Sequence, residues 1–203
     1  KFLVERTLDI TSLTSRQYPE IWIQSAYQDL QQIFESFDGS MLMSMILALV
    51  DEQKGLFYFI NVEHPWLILY RDGKASFVEK ELTLHKVGTP IVAEDMMVQT
   101  FAMEPGDVLF MGSDGRDDIM LGTDEQTGAR LINEDETAIL QHIEQGEGQL
   151  QGTVTHIKSF GELTDDLSLF RLEFCPFEAK KDAKKEATEI SAPSVLDRAK
   201  HEY

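Results

Sequence analysis

Cysteine is almost absent from this sequence, since Cys175 is the only one among 203 residues. A single cysteine cannot form a disulfide within the chain, which excludes the disulfide scaffolds typical of small secreted domains. The sequence also lacks a run of about 18 apolar residues, the length that a transmembrane helix requires. Residues 1–6 lack the apolar core of a signal peptide. We therefore expect a cytoplasmic protein with no segment inserted into a membrane.

Positive charge is scarce as well. Lysine and arginine number 18 against 36 aspartates and glutamates, so the formal net charge is −18 at pH 7. Residues 178–203 hold six side chains of each sign, and the whole excess therefore lies in residues 1–177. Such a surface repels nucleic acid and anionic membranes, because binding to either depends on lysine and arginine. Divalent cations remain compatible partners, although acidic residues also serve simply to keep a protein soluble.

The sequence divides into a globular part and a charged end. The hydrophobic content of 42% allows residues 1–177 to bury one substantial core. Residues 178–203 are rich in lysine, glutamate and alanine and are interrupted by Pro193, which predicts a charged tail or a linker. This organisation is compatible with additional domains at either end of the chain.

Periodicity predicts one long helix and then several strands. Apolar residues recur every three or four positions over 15–37, with Ser15 as a candidate cap and Pro19 in the first turn. Apolar or alternating runs predict strands at 41–50, 56–62, 66–70, 75–78, 98–103 and 108–111. We expect the first four to form an antiparallel meander, and the last two to pair through the turn at Pro105–Gly106.

The second half of the chain predicts two more helices and a final strand. Asn133 is a candidate cap for a helix over 134–145 that Gly146 ends, and a shorter helix is expected over 151–159. The polar segment 122–128, which follows the acid-rich stretch around Asp114, predicts a loop that could face a substrate. A strand is expected over 167–174, so the fold class is α+β with antiparallel sheets.

Carboxylates are concentrated next to two of the predicted strands. Asp114 follows the strand 108–111 directly, whereas Asp165 and Asp166 precede the strand 167–174. If these strands are antiparallel neighbours, the end of one meets the start of the other, and Asp114 and Asp165 converge. Oxygen ligands of this kind suit Mg²⁺ or Mn²⁺ rather than zinc. Taken singly, Asp114 is better explained as a turn residue and Asp165 as the start of a strand, and only the order of the motifs favours a metal site.

Three segments, taken in order, resemble the PPM-type (protein phosphatase 2C-like) metal-dependent serine/threonine phosphatases, in particular the SpoIIE-type bacterial branch. They are residues 56–65, which end in Asn-Val-Glu-His-Pro, residues 106–118, which contain Gly-Asp, a strand and Ser-Asp-Gly, and residues 165–169, Asp-Asp-Leu-Ser-Leu. The branch usually has a strand ending in Asn-Ala-Gly-His-Pro, then Gly-Asp, a strand and Thr-Asp-Gly, and finally Asp-Asp-Ile-Thr. The resemblance covers roughly residues 16–175.

The resemblance implies an antiparallel β-sandwich flanked by helices and a hydrolase that acts on phosphoserine or phosphothreonine in proteins. Two Mn²⁺ or Mg²⁺ ions would activate the attacking water. Asp114 and Asp165 match metal ligands of the family, and Asp118 matches an acid that serves a further, weaker metal site. His64 matches a recurring histidine whose role does not follow from the match, and a strand-end histidine bonded to a backbone carbonyl explains it equally well. By analogy, the substrate is a phosphorylated anti-sigma-factor antagonist in bacterial signalling.

Two positions depart from the family pattern. The family's bridging metal ligand lies in an early Asp-Gly motif followed by Gly-His-Gly, and the only earlier Asp-Gly here, Asp38–Gly39, reads as a turn. We therefore expect either that the chain is N-terminally incomplete and begins after that motif, or that the ligand has been lost. The second alternative predicts a catalytically inactive PPM-like regulatory or binding module. Glu63 stands where the family has glycine, which alters any backbone contact made there.

Overall fold

The computed structural model describes residues 18–81, 84–90 and 96–176, and these form three α-helices and ten strands. The helices are α1 (Pro19–Glu35), α2 (Ala138–Gln145) and α3 (Leu150–Phe160). The strands are β1 (Met45–Asp51), β2 (Leu56–Val62), β3 (Ile68–Arg71), β4 (Lys74–Phe77), β5 (Gln99–Ala102), β6 (Val108–Gly112), β7 (Ile119–Thr123), β8 (Arg130–Ile132), β9 (Glu162–Leu163) and β10 (Leu169–Glu173).

Two antiparallel sheets pack face to face at the centre of the molecule. One has the strand order β1-β2-β5 and the other β10-β6-β3-β4. Phe57 and Phe59 of β2 point into the layer between the sheets, where they form one cluster with Leu109 of β6. Because successive side chains of a strand point to opposite faces, the alternate residues of β2 and β6 must be covered from outside.

Helices cover both outer faces of this sandwich. The buried face of α1 packs on Ile60 and Val62 of β2, and residues of α2 and α3 pack on Val108 and Phe110 of β6. The four layers explain why β2 and β6 read as continuous apolar runs, since both of their faces are buried. The predicted α+β sandwich flanked by helices is confirmed.

The predicted meander is confirmed in its two hairpins, β1–β2 and β3–β4, but β2 does not pair with β3, and the predicted pairing through Pro105–Gly106 is wrong. β1 and β2 lie in one sheet and β3 and β4 in the other, while β5 pairs with β2, and β6 pairs with β3 and β10. A strand that is buried on both faces is best placed in the interior of a sheet, and β2 and β6 each occupy such a position. The segments between β2 and β3 and between β5 and β6 therefore cross from sheet to sheet.

Two local predictions are also corrected. The loop predicted at 122–128 is confirmed over residues 124–128, but Gly122 and Thr123 belong to β7, which pairs with β8 as a hairpin and also pairs with β9. Helix α2 begins at Ala138 instead of residue 134. Asn133 does not cap it, because the Asn133 side chain bonds to the backbone of Asp135 and Asp117 and so stabilises a turn in place of the first helical residues.

The other helix predictions agree closely with the structure. Helix α1 carries Pro19 in its first turn as expected, whereas the candidate cap Ser15 lies outside the described residues. Helix α3 covers the segment predicted at 151–159. The charged segment 178–203 also lies outside the described residues. In the part of the chain that the structure describes, no helix is long and apolar enough to cross a membrane.

Helices α2 and α3 meet through a pair of histidines. The Nδ1 atoms of His142 and His156 lie 2.7 Å apart, which requires that one ring donates a proton and the other accepts it. His142 is only 1% exposed. Burial, together with the neighbouring His156, lowers the pKa of His142 to about 4. His142 therefore stays neutral in the folded protein under conditions where an exposed histidine takes up a proton.

We expect this pair to make the fold sensitive to acid. Between pH 6.5 and about 4 the unfolded chain is protonated at His142 and the folded chain is not, so the free energy of unfolding falls as the pH falls. The contribution of this residue reaches about 3 kcal/mol at the acidic end. Urea unfolding of the wild type and of His142→Leu across this range measures it. The variant should lose less stability on acidification, and parallel pH profiles would contradict the assignment, with exposed His85→Gln as the control.

Candidate metal centre

The pairing of β6 with β10 brings the two acidic segments together, as the sequence predicted. The strands are antiparallel, and Gly112 at the end of β6 faces Leu169 at the start of β10. Beyond this pair, the Ser113 N–H donates to the Ser168 carbonyl at 2.9 Å. The Ser113 hydroxyl donates to the Asp166 carbonyl at 3.0 Å. These bonds extend the contact past the sheet and hold Asp114 beside the segment that contains Asp165.

A single turn of 3₁₀-helix, Asp114–Arg116, adds a third carboxylate. The N–H groups of Asp117 and Asp118 both bond to the Asp114 carbonyl, which folds Asp118 back towards Asp114. Thr164 then ties the other segment to the same turn, because its N–H and its hydroxyl donate to the Asp118 carbonyl at 3.0 and 2.9 Å. Carboxylate oxygens of Asp114, Asp118 and Asp165 consequently all lie within 4.8 Å of one another.

The close approach of the two segments depends on Gly115. A Cβ atom at this position would overlap the backbone carbonyl of Asp166 and crowd the Leu167 nitrogen. Any other residue would therefore push residues 165–167 away from the turn. Gly115 is thus a steric requirement of the carboxylate cluster, independent of any special backbone dihedral angle.

The chemistry of the three carboxylates fits a hard divalent cation. Within the described ranges, no lysine, arginine or histidine forms an ion pair with Asp114, Asp118 or Asp165. Three unneutralised carboxylates at this spacing repel one another, and a cation would offset that repulsion. Oxygen ligands about 2.1 Å from Mg²⁺ lie about 3 to 4 Å apart, so small side-chain movements suffice to close the site. That these residues bind metal stays a prediction.

Asp114 and Asp118 open onto a cleft of about 810 Å³. The side chains around it come mainly from segments that connect the strands and from the segment before α2, and they include Ser44, Glu63, His64, Trp66, Phe77, Lys86, Arg116, Asp117, Asn133, Glu134 and Glu136. Asp165 lines a neighbouring depression of about 470 Å³ with residues of α3. The carboxylate cluster therefore contributes side chains to two concave surfaces, since Asp114 and Asp118 line one and Asp165 lines the other.

His64 lies in the cleft and is also bonded to the backbone. Its Nδ1 lies 3.0 Å from the Pro65 carbonyl oxygen. This contact agrees with the explanation of His64 as a strand-end histidine that bonds to a backbone carbonyl. Burial chiefly lowers the pKa of His64, and Arg116 lowers it further, while the Pro65 carbonyl and Asp114 oppose this shift. The preceding residue, Glu63, has a φ of 47°, which lies in the left-handed region that favours glycine. This backbone geometry explains why the family motif has glycine at the position of Glu63.

Sequence reasoning missed several polar residues around the cluster. Arg116 is 3% exposed and donates to the Trp66 carbonyl at 2.9 Å and to the Asp117 carboxylate at 3.2 Å. Burial raises the pKa of Asp117 despite this contact. Burial likewise raises the pKa of Glu79, which is 3% exposed. The acid-rich stretch 114–118 signalled Asp117 only weakly, and nothing local in the sequence marks the partners of Arg116 or Glu79.

Solved structures share this fold. The PP2C phosphatase domain of SpoIIE from Bacillus subtilis, with a fragment of its regulatory domain, has a TM-score of 0.58 at 16% identity and covers 84% of this chain and 48% of its own. The RsbU and RsbW domains of a Mycobacterium tuberculosis protein give 0.57 at 18%, covering 89% and 52%. RsbX in complex with magnesium gives 0.50 at 15%, covering 80% and 68%. The chain spans about half the length of the first two structures.

The sandwich with carboxylates at the facing ends of β6 and β10 therefore has a PP2C-like fold. The Stage II sporulation protein E (SpoIIE) family matches residues 4–174. The chain belongs to the SpoIIE family. Among curated proteins, no match is found. Membership agrees with the resemblance drawn from the three sequence segments.

Proposed function

We propose that this protein is a metal-dependent phosphatase that hydrolyses phosphoserine or phosphothreonine in a protein substrate. The observation that carries the proposal is the convergence of Asp114, Asp118 and Asp165 within 4.8 Å at the edge of an open cleft. Membership of the SpoIIE family and the PP2C-like fold support it. The magnesium bound by RsbX supports Mg²⁺ or Mn²⁺ as the cofactor.

Each carboxylate has a distinct place in this proposal. Asp114 and Asp165 would hold the cations from the two facing strands, and Asp118 would complete a further, weaker site from the 3₁₀ turn. Bound cations of this kind lower the pKa of a coordinated water and offset the charge of the phosphoryl oxygens. The residues of this chain would position the cations against the cleft, and the cleft would admit the phosphorylated side chain.

For the biological role, we propose dephosphorylation of an anti-sigma-factor antagonist in bacterial signal transduction. The resemblance to the SpoIIE-type branch supports this substrate class. The single cysteine supports a reducing compartment such as the cytoplasm. The net charge of −18 disfavours nucleic acid as a partner.

Release of phosphate from a phosphoserine peptide tests the proposal. We expect the full-length protein to release phosphate with Mn²⁺, and a chelator such as EDTA to abolish the release. Phosphate release that continues in chelator would contradict a metal-dependent reaction. The same assay on the 203-residue chain alone should give weak or no turnover, because its sequence contains no early Asp-Gly followed by Gly-His-Gly.

A second candidate is a PPM-like regulatory module that binds cations without turnover. One observation supports this second function. The cluster holds three carboxylates, and among the residues that the structure describes no fourth acid takes the place of the family's bridging ligand. Mn²⁺ binding by calorimetry together with the absence of phosphate release from the full-length protein would select this function over the first.

A further inference from the structure

Two aromatic side chains, Trp66 and Phe77, line the cleft that Asp114 and Asp118 also line. Their ring centroids lie 5.2 Å apart in a T-shaped arrangement with an interplanar angle of 84°. Both residues remain partly exposed. Phe77 packs against the core, whereas Trp66 belongs to none of the three core clusters found among the described residues. The cleft therefore has an apolar surface, the aromatic pair, in the same cavity as the carboxylates of the candidate metal centre.

Buried charged groups hold the aromatic pair in place. The Arg116 guanidinium donates to the Trp66 carbonyl at 2.9 Å, and the Leu67 N–H donates to the Glu79 carboxylate at 2.9 Å. Arg116 and Glu79 are each 3% exposed. Phe77 is held by its place in strand β4, which pairs with β3. A ligand that packs on such a preorganised apolar surface does not have to order it first, which favours binding.

The segment before α2 supplies a second feature of the cleft, the carboxylates of Glu134 and Glu136, which we call the acidic pair. Both residues are exposed, and neither forms an ion pair with a cationic side chain in the part of the chain that the structure describes. The Asn133 amide anchors this segment, because it donates to the Asp117 carbonyl at 3.1 Å. Asp117 directly follows Arg116 at the end of the 3₁₀ turn. One turn therefore holds both the aromatic pair and the acidic pair.

The charges of the cleft indicate what the acidic pair would bind. The other carboxylates that line the cleft either belong to the carboxylate cluster or lie within 4.0 Å of a cationic side chain. Glu134 and Glu136 have neither of these roles. They repel a phosphoryl group, because like charges repel, and a lysine or arginine of a substrate would offset their charge. The acidic pair therefore favours a cationic side chain near the phosphorylated residue.

We propose that the cleft selects phosphorylated segments that carry a bulky apolar side chain and a lysine or arginine close to the phosphorylated residue. The apolar side chain packs on Trp66 and Phe77, and the cationic side chain pairs with Glu134 and Glu136. The proposal rests on the phosphatase function proposed above, and it names the class of protein segment that this site accepts. Both pairs lie outside the carboxylate cluster. We therefore expect them to determine which substrate is bound, and not whether metal is bound.

Three phosphoserine peptides test this selection. The first carries leucine and arginine on each side of the phosphoserine, the second has serine in place of each leucine, and the third has glutamate in place of each arginine. The full-length wild type is assayed with Mn²⁺ on each peptide and on p-nitrophenyl phosphate, which offers neither contact. The preference is the ratio of kcat/KM between two peptides, and this ratio does not depend on the fraction of the enzyme that is active.

We expect the wild type to prefer the first peptide over the second by about 10-fold or more, which is the discrimination that an apolar pocket provides. The preference for the first peptide over the third should be about threefold or more, and it should decrease as salt is added, because exposed charges are screened. Equal kcat/KM values for the three peptides would overturn the selection and leave the phosphatase function standing. Absence of hydrolysis of every peptide and of p-nitrophenyl phosphate would overturn the phosphatase function and this proposal with it.

Variants assign each preference to its own pair of residues. Trp66→Ala should remove the preference for leucine and keep the preference for arginine. Glu134→Lys combined with Glu136→Lys should reverse the preference between arginine and glutamate and keep the preference for leucine. Tyr18→Ala and Glu52→Lys make comparable changes at exposed positions outside the cleft lining, and they should keep both preferences. A leucine preference that survives Trp66→Ala, or an arginine preference that survives the charge reversal, would contradict the proposal.

Discussion

Asp114→Asn should lower the turnover of the full-length enzyme on a phosphoserine peptide by more than about 100-fold. Loss of groups that only support a metal ligand costs about 10- to 100-fold in affinity or activity, and a direct ligand should cost at least as much. Asparagine keeps the size of the side chain but removes one of the three charges that lie within 4.8 Å of one another. The change should therefore act on cation binding and leave the fold intact.

Thermal unfolding separates these two effects. A ligand that binds only the folded state stabilises it, by about 2.7 kcal/mol when its concentration is 100 times the dissociation constant. The wild type should therefore gain melting temperature on addition of Mn²⁺, and Asp114→Asn should not. Without metal, the variant should be at least as stable as the wild type, because it relieves repulsion among the carboxylates.

The neighbouring acid Asp166 provides the matched control. It is adjacent to Asp165 in sequence but does not belong to the carboxylate cluster. Asp166→Asn makes the same chemical change in the same segment, and it should keep both turnover and the Mn²⁺ response. Unchanged kinetics in Asp114→Asn, or equal losses in both variants, would remove Asp114 from the site.

Gly115→Ala is expected to have the next largest effect. The added methyl group would overlap the backbone of Asp166 and displace the segment that carries Asp165. Displacement of reacting groups by about 1 Å costs on the order of 100-fold in rate. We therefore expect turnover and Mn²⁺ affinity to fall by about 10- to 100-fold, although no ionisable group has been altered.

Gly73→Ala is the corresponding control in the hairpin between β3 and β4. A Cβ atom there meets open space, and its φ of 79° makes alanine unfavourable by about 1 kcal/mol. This variant should lose stability but retain Mn²⁺ affinity. Gly115→Ala, in contrast, should lose more Mn²⁺ affinity than its loss of stability can explain. A normal Mn²⁺ affinity in Gly115→Ala would show that the two segments tolerate separation.

The convergence of Asp114 and Asp165 was predictable because it depends on a single assumption, the antiparallel pairing of two strands. The order of strand and acid is opposite in the two segments, and antiparallel pairing alone then joins the acids. The pairing of Gly112 with Leu169 agrees with that reasoning. Assignment of strands to sheets was not predictable in the same way, because local patterns do not distinguish a hairpin from a crossing between two packed sheets. For this reason the pairing predicted through Pro105–Gly106 was wrong.

The polar supports of the site depend on contacts between residues far apart in sequence. Arg116 bonds to a carbonyl 50 residues earlier, and Glu79 bonds to Asn61 across 18 residues. The hairpin of β7 and β8 was missed for a different reason, since Leu121, Leu131 and Ile132 are exposed and Ile119 is its only buried residue. Only the three-dimensional arrangement shows that Arg116 lines the cleft.

The order in which the chain supplies the cluster also bears on biosynthesis. Asp114 and Asp118 emerge from the ribosome early, whereas Asp165 becomes fixed only when β10 has paired with β6. A nascent chain that ends at residues 165–168 therefore has all three carboxylates but lacks the strand that holds Asp165 in place. Cation capture would accordingly follow the docking of β10 on β6, and it would report that this late pairing has taken place.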